Sequence, residues 1–157
     1  VNNVVPNFMN QGRYEPKPSI ATISNAMDVG DPSNFIRIQQ LFNNDFEQLK
    51  TFFSSFSFSD EATKEAMQSV YQRTKYVLDP HGAVGYLGLK QYQETNSNTF
   101  GIFLETAHPI KFLPVVKETL DINLEIPPQI QKVMDKTKKS SFIRTYAELK
   151  DFLITTS

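Results

Sequence analysis

Apolar residues recur at helical spacing along most of this chain. Phe35, Ile38, Leu41, Phe42, Phe46, Leu49 and Phe53 fall on one face of a helix expected over 33–53, opened by the cap and first-turn proline of Asp31-Pro32. A second helix is expected from Ser59 to about Lys75, with Asp60 and Glu61 at the positive end of its dipole and Ala62, Ala66, Met67 and Val70 buried. Asp79-Pro80 repeats the opening device for a third helix to about Tyr92, along which Gly82, Gly85 and Gly88 form a stripe. Glycine weakens a helix, so the stripe implies a close neighbour, and close helix packing is the simpler choice over a ligand groove. Beyond Pro109 three more helices are expected: one from about Phe112 carrying Val115, Val116 and Leu120, one from Pro127-Pro128 to about Lys136, and a last one behind the capping box of Thr145 and Glu148.

Two regions break this pattern. Residues 1–32 are rich in proline, glycine and asparagine and are expected to be mostly loop, with room for one turn of helix around Val4 to Met9. The run from Asn98 to Leu104 is the one strand expected, with the helices of 33–157 arranged around it at about 98–105. A lone strand leaves its ladder groups unpaired, so its sheet should lie elsewhere. With an opening on Val1 rather than Met, this points to a piece of a longer polypeptide whose apolar strand surface would be exposed in isolation.

Composition narrows the chemistry. The 157 residues suffice for one domain and carry a net charge of −1 with both signs interspersed, which disfavours nucleic acid and anionic membrane surfaces as partners. There is no cysteine, which excludes disulfides and thiolate chemistry and fits a cytoplasmic location. No apolar run approaches the roughly 20 residues of a membrane span. The two histidines, His81 and His108, lack metal-ligand spacing, and neither a nucleophile elbow nor a phosphate-cradling loop is present. No metal is expected.

Three ordered motifs carry more information. "PSIATISNAMDVGDPSNFIRI" at 18–38, "DPHGAVGYLGL" at 79–89 and "LETAHPIKF" at 104–112 resemble, in order and spacing, the C-terminal part of the threonine synthase family, and the likeness runs from "NNVVPNF" near the start to the last helix. The "SNAMDVG-PSNF" variant is similar to the longer subgroup found in bacteria and fungi. The resemblance implies an α/β protein of the tryptophan-synthase-β-like fold (fold type II), this chain being a mostly helical C-terminal fragment of its large domain with few strands of its own. It also implies pyridoxal 5'-phosphate as cofactor and conversion of O-phospho-L-homoserine and water to L-threonine and phosphate.

In that fold the cofactor's ring nitrogen meets a neutral hydroxyl, which makes the ring a milder electron sink than a carboxylate partner would. Carried onto this sequence, the hydroxyl is that of Thr106, a residue that by itself would pass for an ordinary cap at a strand end. Ser24, Asn25 and Asp28 are candidates for the substrate pocket, with bracing of the turn before the first long helix as the equal alternative. His108 is expected to hold its turn, and His81 to be a satisfied surface or interface side chain rather than an anion ligand. The family's Schiff-base lysine and its Gly/Ser-rich phosphate loop have no counterpart here, so no catalytic residue is assigned and the chain alone is expected to be inactive without the N-terminal part of the same polypeptide. Two other readings stay open: a non-catalytic interaction module, and a sister pyridoxal-phosphate lyase of the same fold.

Overall fold

The structure is a computed structural model that describes residues 2–25 and 28–155. The chain divides into two compact units after Leu124. The first holds helices α1 (Val4–Gln11), α2 (Phe35–Leu41), α3 (Phe46–Phe52), α4 (Asp60–Thr74), α5 (Pro80–Thr95) and α6 (Leu113–Leu120), with a 3₁₀ turn at Pro109–Phe112 ahead of α6. The second holds α7 (Pro128–Met134) and α8 (Tyr146–Thr155).

Capping residues place the main helices. Ser59 accepts from the Ala62 N–H at the start of α4, and Asp79 accepts from the His81 N–H at the start of α5, where Pro80 supplies a preset φ. Helix α4 ends on Lys75 in the left-handed conformation, its N–H bonded to the Tyr71 carbonyl. At α8, Thr145 Oγ1 accepts from the Glu148 N–H, while Glu148 reaches back one residue further than a capping box requires, to the Arg144 N–H.

The helix expected over 33–53 is two helices. Asn43 and Asn44 both adopt positive φ (53° and 58°), the left-handed region that asparagine tolerates, and Asp45 then caps α3 through the Gln48 N–H. Apolar spacing runs through the break because both halves bury the same face. Phe35 and Leu49 join Phe8 and Met9 of α1 in one cluster, where Phe8 meets Phe35 and Phe46 edge-on at ring separations of 5.4 and 5.2 Å. The second cluster joins Ala66, Met67 and Val70 of α4, Leu78 and Ala83 at the start of α5, Phe112 and Val116.

The strand expected at 98–105 is corrected by the structure: no β-strand occurs among the described residues. The segment 99–106 lies against α5 with no ladder partner, which a strand needs by definition. Burial still alternates along it. Phe103, Glu105 and Ala107 turn inward, while Phe100, Ile102 and Leu104 are 93, 78 and 76% exposed. The glycine stripe of α5 faces this segment and the loop before α4 rather than another helix: a Cβ on Gly85 would meet Phe103 at 3.8 Å, and one on Gly88 would meet Phe56 at 3.5 Å.

Candidate functional site

Thr106 ends the alternating segment. The neighbours at 105 and 107 face inward, so its side chain is directed outward, and it is exposed on the same side as Phe100, Ile102 and Leu104. Among the described residues its hydroxyl has no hydrogen-bond partner, whereas His108 supplies the cap that a threonine would otherwise give: His108 Nδ1 accepts from the Ile110 N–H at 3.1 Å. The hydroxyl is therefore free to bond a group from outside this chain. That is the condition a cofactor contact requires, and Thr106 fits pyridoxal phosphate in this respect.

The loop before α2 makes a separate feature. A cavity of about 220 Å³ is lined by Thr22, Ser24, Asp28, Asp60, Thr63 and His81, among others. Of the three sequence candidates Ser24 and Asp28 reach it, and Asn25 does not. Asn25 instead sits at φ 53° and closes the turn through its carbonyl, which accepts from the Asp28 N–H at 2.9 Å. The motif's Ala26 and Met27 lie outside the described residues. Asp28 does brace the loop: its carboxylate accepts from Asn2 Nδ2 (3.0 Å), Thr22 Oγ1 (2.6 Å) and the Thr22 N–H (2.7 Å). A carboxylate has about four lone-pair sites, so one is left for a ligand amine. Thr106 is not part of this lining.

His81 links the cavity to the buried start of α5. Its Nδ1–H donates to Asp79 Oδ1 at 2.8 Å, and its ring packs edge-on against Phe112 at 4.9 Å. That bond fixes the tautomer and leaves Nε2 as an acceptor, buried and unpartnered. On the far side of Asp79, Glu105 Oε1 accepts from the Asp79 N–H at 3.1 Å. Burial, with the Asp79 side chain beside it, pushes the Glu105 carboxyl up to about 7. Sequence reasoning missed Glu105. The signal was its place inside "LETAHPIKF", one residue from Thr106 and opposite in facing.

Residues 82–153 match the family model described as "Threonine synthase, C-terminal". Over 154 residues the chain is 37% identical to the threonine synthase of Buchnera aphidicola, covering 98% of this chain and 35% of that protein. The crystal structure of threonine synthase from Escherichia coli superposes over the whole chain with a TM-score of 0.82 and 34% identity, and 36% of that structure is covered. A pyridoxal-phosphate-bound threonine synthase from Brucella melitensis has the same fold over 98% of the chain, with a TM-score of 0.63 and 24% identity. The chain thus matches the C-terminal part of threonine synthases in sequence and fold, and spans about a third of the length of these relatives.

Proposed function

We propose that this chain forms the C-terminal part of a threonine synthase, a cytoplasmic pyridoxal-phosphate lyase of fold type II that converts O-phospho-L-homoserine and water to L-threonine and phosphate. The observation that carries this reading is the coincidence of the family match with a free, outward hydroxyl at Thr106. When bound, the cofactor supplies an electron sink that makes the substrate's α and β positions reactive. Thr106 contributes a neutral hydroxyl to the ring nitrogen, holding the ring by a hydrogen bond without adding a charge. The inward anchoring of Phe103 and Ala107 in the α4–α6 core sets the register of the segment that presents it.

Ser24 and Asp28 are proposed to line the substrate pocket. Asp28 uses its remaining lone pair to take the substrate amine, and Ser24 donates to one of its oxyanions. Asn25 serves the same loop through its left-handed backbone. The lysine that carries the cofactor and the loop that holds its phosphate belong to a preceding part of the polypeptide, so this chain alone releases no phosphate from O-phospho-L-homoserine.

The test is phosphate release from O-phospho-L-homoserine with added pyridoxal phosphate, run on this chain and on a polypeptide that joins it to an N-terminal threonine synthase segment. Activity in the joined protein only is expected. Silence from both would overturn the reading. In the active form Thr106→Val should lower kcat by about 10-fold or more, the worth of one good hydrogen bond to the reacting group.

A further inference from the structure

Around the start of α5 three buried polar atoms lack partners, Asp79 Oδ2, His81 Nε2 and Glu105 Oε2, and the Asp79 and Glu105 side chains lie within hydrogen-bonding reach of one another. Two of them are carboxylate oxygens, which only accept when ionised, and Asp79 is fully buried. Two acceptors cannot satisfy one another, but a single proton between them satisfies both at once. Gly82 makes room for the pair: a Cβ there would overlap both Glu105 carboxylate oxygens and their carbon. Its lack of a side chain thus lets the Glu105 carboxyl lie on the first turn of α5, in front of the Asp79 N–H. The close approach seats residue 105, and with it the outward register of residue 106.

We propose that Glu105 is a positioning residue for Thr106, its carboxyl sharing one proton with Asp79 and so clasping the Thr106 segment to the first turn of α5. The inference rests on the reading that Thr106 meets the cofactor. The titratable groups around Glu105 are Asp79, the N-cap of α5, with His81 bonded to it, and Tyr76 from the segment ahead, the last held above its usual range by burial, then by Glu105 and Asp79. None brings a positive charge that would hold Glu105 ionised, apart from His81 when protonated, and His81 bonds the opposite oxygen of Asp79. The clasp is closed while the shared proton is present and loosens as the pair becomes doubly charged.

Two readouts test it. In this chain, carboxyl-carbon NMR should show Glu105 losing its proton well above the ordinary glutamate range, and Asp79 amide hydrogen exchange should speed up about tenfold in Glu105→Ala, the worth of one lost hydrogen bond. An ordinary titration of Glu105 near 4.5 would overturn the shared proton. In the pyridoxal-phosphate-loaded enzyme that contains the chain, the cofactor's absorbance is followed from pH 5 to pH 9. Thr106→Val should shift the band, Glu105→Ala should reproduce most of that shift, and Glu105→Gln, whose amide still accepts from the Asp79 N–H and donates to Asp79, should keep the wild-type band with its pH drift removed. A shift in Thr106→Val together with wild-type spectra and pH drift in both Glu105 variants would sink the positioning role alone. No shift in Thr106→Val would sink the Thr106 reading and this inference with it.

Discussion

At the scale of single residues, the contact between Glu105 and Gly82 leaves no room for a side chain at residue 82. In a solvent-exposed helix, Gly→Ala gains about 1 kcal/mol. Here the new methyl must displace a buried carboxyl, and overpacking of that kind costs about 1–3 kcal/mol. Gly82→Ala should therefore lower the melting temperature, and Gly82→Ala combined with Glu105→Ala should be more stable than the sum of the two single changes, a non-additivity that a double-mutant cycle measures directly. The same carboxyl gives the chain a pH dependence. Its folded value of about 7 lies above the unfolded 4.5, so its contribution to stability is complete below about 4.5 and is lost as pH rises to about 7, beyond which it is flat. Denaturant midpoints at pH 5 and pH 8 should differ in that direction for wild type, and the difference should shrink in Glu105→Gln. The sequence singles out Thr106 only through its motif, and the proposed cofactor contact rests on that motif with its exposed, unbonded hydroxyl. Glu105 is not singled out, because its importance lies in a contact with Gly82 that is made 23 residues away along the chain, and local spacing carries no record of it.

At the scale of elements, the caps of α4, α5 and α8 were legible, whereas the one expected at Asp31-Pro32 is corrected: α2 starts at Phe35 behind Asn34 with no side-chain cap bond, and Asp31 accepts from the Tyr14 hydroxyl instead. Ser59, Asp79 and Thr145 each accept from a first-turn N–H, as their positions before apolar runs imply. The join between α2 and α3 escaped because hydrophobic periodicity reports which face is buried, and Phe35 and Leu49 do bury one face. What stops the helix is local: two consecutive asparagines take the left-handed conformation, and Asp45 restarts the chain by accepting from the Gln48 N–H at 2.9 Å. Asp45→Ala should cost about 1 kcal/mol, the usual worth of an N-cap. A chevron or melt of the variant against wild type measures it. A change below about 0.3 kcal/mol would mean that the Phe8, Phe35 and Leu49 cluster alone fixes α3.

At the scale of the whole molecule, the helical character and the apolar clusters follow from composition and periodicity, whereas the segment 99–106 depends on what lies beside it. Its residues are those of a strand, and its alternation of burial is that of a strand with one face covered. The backbone ladder that would complete the assignment needs a neighbour, and none is present among the described residues. The consequence is an exposed row, Phe100, Ile102 and Leu104, beside unpaired backbone N–H and C=O groups, the combination that templates edge-to-edge pairing between copies. The isolated 157-residue chain is therefore expected to self-associate in sedimentation velocity at micromolar concentration and to bind a hydrophobic dye. Since the three side chains contribute almost nothing to the core, Ile102→Thr with Leu104→Ser should raise the monomer fraction severalfold while shifting the melting midpoint by no more than about 2 °C, the scale of a surface change within about 0.5 kcal/mol. A wild-type chain that sediments as a monomer at all concentrations would count against it. So would a double variant that loses its cooperative melt, because that loss would place these side chains inside the fold and not on its open edge.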